Sequence, residues 1–141
     1  MSAHLFTVRV YYEDTDAGGV VYHANYLRFA ERARTEALRD LGVPHAQMTE
    51  EHGLFFMVQR VKLDYLAPAR LDDSLTIATS PLQIRAASVV LSQIFRTGPR
   101  DVAAAEITLV CVRMTDLKPS RIPPRWRTAL QELTELDRQE S

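Results

Sequence analysis

The densest chemistry in the chain lies in YYEDTDAGGVVYHANY, residues 11–26, where three acids, two glycines, a histidine and four tyrosines share sixteen positions. Glu13, Asp14 and Asp16 supply carboxylates, and His23 supplies the one side-chain type that titrates near neutral pH without help. Gly18 and Gly19 carry no Cβ, so the backbone can turn tightly there or lie close against a ligand. An amphipathic pattern begins at the end of this segment, which places the backbone N–H groups near Tyr22, His23 and Ala24 in the first turn of a helix. Such N–H groups have no intrahelical acceptor and sit at the positive end of the helix dipole. A carboxylate just upstream of them could attack a carbonyl, or activate water to do so, while the main-chain donors hold the developing oxyanion. That combination describes acyl transfer.

Competing chemistries lack their residues. There is no GxSxG, HExxH, GxGxxG or GxxxxGK[ST], which removes support for a serine hydrolase, a zinc hydrolase, a dinucleotide enzyme and a P-loop enzyme. The single cysteine, Cys111, can neither close an internal disulfide nor anchor a thiolate zinc site. Flanked by Leu109, Val110 and Val112, it reads as a buried, inert thiol. His4, His45 and His52 show no ligand spacing. Seventeen Lys and Arg against eighteen Asp and Glu leave a formal charge of −1, so no overall field recruits nucleic acid or anionic lipid and any phosphate binding must be local.

The segment must be positioned by a domain of 141 residues, 46% hydrophobic and 25% charged. That is one globular domain, residues 1–141, with enough apolar surface for a core. Phe6, Val8, Val10 and Tyr12 alternate with polar neighbours and predict a first strand over residues 5–12. Tyr26, Phe29, Ala30, Ala33, Ala37 and Leu41 recur at three- and four-residue steps and predict a helix of about five turns, stopped by Gly42 with Pro44 beyond. Its small inward residues allow a close approach to whatever lies beneath. Strands follow over residues 55–66, 75–79, 87–95 and 102–114, the last two joined by a turn at Gly98 and Pro99, with Pro68 and Pro81 as breaks. Trp126, Ala129, Leu130, Leu133 and Leu136 predict a second, C-terminal amphipathic helix that caps the sheet or a subunit contact. Strands in tandem after one long helix make an α+β fold with an antiparallel sheet. The N-terminus has no signal or membrane pattern, and with one thiol the expected compartment is cytoplasmic.

The segment YYEDTDAGGVVYHANYLRFAERARTEALRDLG, followed by DYLAPARLDDSL at residues 64–75, resembles the hotdog-fold acyl-CoA thioesterases of the 4-hydroxybenzoyl-CoA thioesterase superfamily, and within them the branch associated with the Tol-Pal system. The resemblance covers nearly the whole chain. It implies a five-stranded antiparallel sheet wrapped around the long central helix, homodimers that join sheets edge to edge or homotetramers built from two dimers, and hydrolysis of an acyl-CoA without metal or bound cofactor. The second acid of the D-x-D pair, which maps onto Asp16, is then the catalytic carboxylate, as nucleophile or as general base.

By the same resemblance His23 polarises the thioester carbonyl through its backbone N–H, with Tyr22 and Gly19 beside the substrate. Asp14 and Glu13 fix the loop by accepting backbone N–H bonds. A related branch places its carboxylate on the central helix, where Glu31 is the candidate; an ion pair with Arg34, three residues on, explains Glu31 more simply. Coenzyme A carries phosphates, for which Arg85, Lys118 and Arg121 are the expected contacts. Phe55, Phe56 and Met57 are expected to line the acyl path. Two rivals remain open: a hotdog 3-hydroxyacyl-thioester dehydratase, and a binding partner of acyl-CoA or acyl carrier protein that organises envelope or phospholipid enzymes.

Overall fold

A computed structural model describes residues 3–140, with side chains described through Leu133. Strands β1 (His4–Arg9), β2 (Leu54–Tyr65), β3 (Ser74–Ile84), β4 (Ser88–Thr97) and β5 (Arg100–Arg113) form one antiparallel sheet in the order β1-β3-β4-β5-β2. The helices are α1 (Asn25–Asp40), α2 (His45–His52) and α3 (Pro124–Glu140). This is the expected α+β architecture, five strands curled around one long helix with a helix at the C-terminal end.

Helix α1 buries Tyr26, Phe29, Ala30, Ala33 and Ala37 against β1 and β3. The three alanines let its backbone sit close to the sheet. Its stop is set by Gly42 at φ +80°, whose N–H bonds Arg39 O while Val43 N–H bonds Leu38 O at 2.9 Å, a Schellman closure that favours a residue without Cβ. Trp126 anchors α3: it is fully buried, and its Nε1 donates to Val43 O at 3.0 Å. The side chain of Leu136, also assigned to the apolar face of this helix, lies outside the described residues.

Three departures from expectation have a clear physical cause. β1 ends at Arg9, and Tyr12 lies in a single 3₁₀ turn, Tyr12–Asp14, because Tyr11 N–H is captured by the Asp14 carboxylate and leaves the ladder. Pro81 does not break β3; a bulge between Pro81 and Gln83 absorbs the missing N–H, and the strand runs on to Ile84. Helix α2 has only Met48 buried, so eight residues with one apolar contact carry almost no periodic signal.

Candidate active site

The acidic segment folds as a tight hairpin. Thr15 pairs with Val21, Asp16 N–H bonds Val20 O, and Gly19 N–H bonds Asp16 O. Gly19 takes φ +77°, a backbone conformation that favours glycine, and a Cβ there would meet no other part of the chain within 4 Å. The crowded neighbour is Gly18, whose Cβ would come within 3.3 Å of Asp16 Oδ1.

The two aspartates are held differently. Asp14 is buried; its Oδ2 accepts Tyr11 N–H and its Oδ1 accepts Asn25 Nδ2, each at 2.8 Å. It ties the hairpin to the first residue of α1, the loop-fixing role read from the sequence. Glu13 is exposed. Asp16 is exposed in the single chain, and its one described contact is the Gly18 N–H on Oδ1 at 2.8 Å, which orients the carboxylate and leaves Oδ2 open.

At the helix start the donor set is narrower than expected. Tyr22 N–H is consumed by Asp14 O at 2.8 Å, and Asn25 N–H by Tyr22 O. Among the described residues, the N–H groups of His23 and Ala24 have no backbone acceptor. The His23 carbonyl accepts the Tyr65 hydroxyl at 2.9 Å, pinning this turn to the end of β2, and the His23 ring lies between Tyr22 and Tyr65, 4.5 and 6.4 Å between centroids. Sequence reasoning missed Tyr65 and Asn25. Asn25 carries a legible signal, a short amide at the helix start, whereas the Tyr65 bond spans 42 residues.

Arg85, Lys118 and Arg121 are all exposed and gather at the other end of the sheet. Ile122 N–H bonds Ala86 O, Cys111 N–H bonds Ala87 O, and Arg127 donates to Arg85 O at 2.6 Å, so Arg127 joins the patch. The hairpin sits by Val102, through Val21 N–H to Ala69 O and Leu66 and Ala67 N–H to Val102 O. From there to Cys111 is about 30 Å along β5, so one chain does not bring these cations to its own Asp16. Cys111 itself is buried, and burial pushes its thiol up to about 11, which leaves it protonated and inert at neutral pH.

Glu31 and Arg34 do not form the expected ion pair. Glu31 is exposed, while Arg34 turns inward and donates to Gln93 Oε1. Phe55 and Phe56 line an open crevice beside α1; Met57 is exposed on the edge strand.

An antiparallel five-stranded sheet curled around one long helix, with an acidic hairpin leading into that helix, is the architecture of the hotdog thioesterase class. Residues 10–130 match the family described as the thioesterase-like superfamily. The chain is 41% identical over 128 residues, covering 91% of it and 94% of the relative, to an acyl-CoA thioesterase YbgC from Haemophilus influenzae. It is 46% identical over 117 residues, 82% of the chain and 87% of the relative, to an acyl-CoA thioester hydrolase YbgC from Escherichia coli O6:H1. The fold matches a 1,4-dihydroxy-2-naphthoyl-CoA thioesterase from Synechocystis with a TM-score of 0.86 and 22% identity over 94% of this chain and 98% of that one. The chain therefore belongs to the thioesterase-like superfamily of hotdog proteins.

Proposed function

We propose that this protein hydrolyses acyl-CoA thioesters, with Asp16 as the catalytic carboxylate and the His23 and Ala24 N–H groups as the oxyanion site. The carrying observation is the pair of unengaged main-chain donors at the start of α1, one hairpin away from an oriented carboxylate with a free oxygen. Water adds to the thioester carbon, the C=O oxygen takes negative charge against the two N–H groups, and collapse breaks the C–S bond. Asp16 takes the proton from water and returns it to the departing CoA sulfur. In the nucleophilic variant the same carboxylate forms an anhydride that water then opens at the Asp16 carboxyl carbon; label in Asp16 after a single turnover in ¹⁸O-water identifies that route.

The dimer completes the site in this reading. β2 is an edge strand whose unpaired backbone carries Val58, Val61 and Tyr65 at 46%, 39% and 52% exposure, an apolar edge of the kind that recruits another strand. Antiparallel pairing of β2 with the same strand of a second copy turns the sheet end for end. The partner's Arg85, the partner's Lys118 and the partner's Arg121 then lie at the end occupied by Asp16, where CoA phosphates would trail from a bound thioester.

A free-thiol release screen over short, long and aromatic acyl-CoAs tests the activity. CoA release by the wild type, lost in Asp16→Asn, supports the reading; turnover equal to wild type in that variant refutes the site. A monomer in sedimentation equilibrium at micromolar concentration would refute the shared site.

A further inference from the structure

Helix α1 lies over β1 and β3 rather than over β2, and the gap beside it opens into a crevice of about 350 Å³ lined by Glu31, Arg34, His45, Phe56 and Val58. Arg34, His45 and Phe56 also border a small apolar recess that runs inward to Leu91 and Leu130. Arg34 is the anomaly in this setting. Its NH1 donates to Gln93 Oε1 at 3.1 Å. Gln93 is wholly buried, and its Nε2 is engaged by Ala30 O at 3.0 Å and Thr79 Oγ1 at 3.1 Å. With the amide nitrogen so occupied, the oxygen is turned toward Arg34, which fixes the guanidinium in place.

A guanidinium has five N–H donors, and among the described residues Arg34 has no carboxylate within ion-pair distance. Burial depresses its pKa, opposed only by the field of Glu31. Burial, then the charge of Arg34, also depresses His45, with Glu31 opposing and Arg39 adding to the effect. A desolvated cation without a counterion is costly, and tying α1 to Gln93 would need only a neutral donor.

We propose that this crevice is the far end of the acyl groove and that Arg34 is a specificity-determining residue that binds a carboxylate at the distal end of the acyl group. The inference rests on the thioesterase reading and names its substrate class: CoA thioesters of dicarboxylic acids. Leu27, Glu31 and Arg34 follow one another at steps of four and three along one face of α1, with His23 in the turn that leads into it. Tyr65, Val61, Val58 and Phe56 share the inner side of β2, opposite Ala103, Ile107, Leu109 and Cys111 of β5. Arg34 lies nine residues beyond Asn25, where the helix begins, about 14 Å of rise, with His23 in the turn just before. Its side chain leans back toward the helix start, which leaves roughly 10–15 Å from carbonyl to guanidinium. An extended acyl chain of about eight to twelve carbons spans that distance. Glu31, exposed at the mouth, repels an anion held short of Arg34 and so favours a terminus that reaches it.

The test compares kcat/KM for carboxylate-ended and methyl-ended acyl-CoAs of equal length, in the wild type, Arg34→Met and Arg34→Lys. The wild type should favour the carboxylate-ended series by ~10-fold or more, the scale of a charge-assisted hydrogen bond. Arg34→Met should collapse that ratio at least ~10-fold and Arg34→Lys, which keeps the charge, should restore part of it. No preference in the wild type, or equal losses on both series in Arg34→Met, overturns the inference while leaving the thioesterase reading intact. If no thioester is cleaved, that reading fails first, and equilibrium binding of the same compounds still decides: the carboxylate-ended ones must bind ~10-fold tighter to the wild type and not to Arg34→Met.

Discussion

Exchanging Asp14 and Asp16 separately for asparagine sets two neighbouring carboxylates against each other. Asp14 is buried and accepts two short bonds, from Tyr11 N–H and Asn25 Nδ2. Asparagine keeps one acceptor oxygen and turns an NH₂ toward a donor that needs an acceptor. Losing one bond to a charged group costs about 1.5–3 kcal/mol, which lowers Tm by roughly 3–12 °C in a domain of this size at 2–4 °C per kcal/mol. Asp16 is exposed and holds one turn bond to Gly18, so Asp16→Asn should move Tm by no more than ~2 °C, as surface changes do. Its turnover should fall at least ~10²-fold, the scale of a lost general base. Differential scanning fluorimetry and thiol release on the same preparations read both axes. The reasoning fails if Asp16→Asn retains wild-type turnover, or if Asp14→Asn melts with the wild type.

Three further outcomes are open to measurement. Tyr65→Phe removes the hydroxyl that pins the His23 carbonyl; kcat should drop several-fold while Tm changes by only a few degrees, and an unaltered kcat would show that the donor turn holds itself. Cys111, its thiol raised to about 11 by burial, should resist a thiol reagent at pH 8 in the folded protein and react fully in guanidinium; fast native labelling would contradict the packing. His45 has a folded pKa below its ordinary 6.5, so the unfolded chain binds more protons below that pH and stability is lost as pH falls from 6.5 toward the folded value. His45→Gln should flatten that part of the urea-midpoint profile, and an unchanged slope would exclude His45 as its source.

Much of the architecture was legible because its causes are local. Helix α1 announces itself by apolar spacing and ends at a glycine that only a positive φ explains. β2, β4 and β5 follow from alternation and a Gly-Pro turn, and the loop was marked by acids and glycines packed before a helix start. Where the cause was non-local, reading residues in order failed. Helix α2 carries one buried side chain and therefore no period. Pro81 stays in β3 because a bulge, a property of two strands in register, excuses its missing N–H. Tyr22 is removed from the donor set by a carbonyl that the hairpin brings across to it, which leaves His23 and Ala24.

The sequence alone determined the order of the five strands, the long helix and the C-terminal helix, the position of the acidic segment ahead of α1, and a loop-fixing role for the acids beside Asp16, since each depends on neighbours within about a dozen residues. Only the tertiary structure decided that Arg34 leaves Glu31 for an amide 59 positions away. It also decided that the basic residues at 85, 118 and 121 gather at the opposite end of the sheet from Asp16. Side-chain direction and distance across a sheet come from strand order and register, which no local pattern encodes.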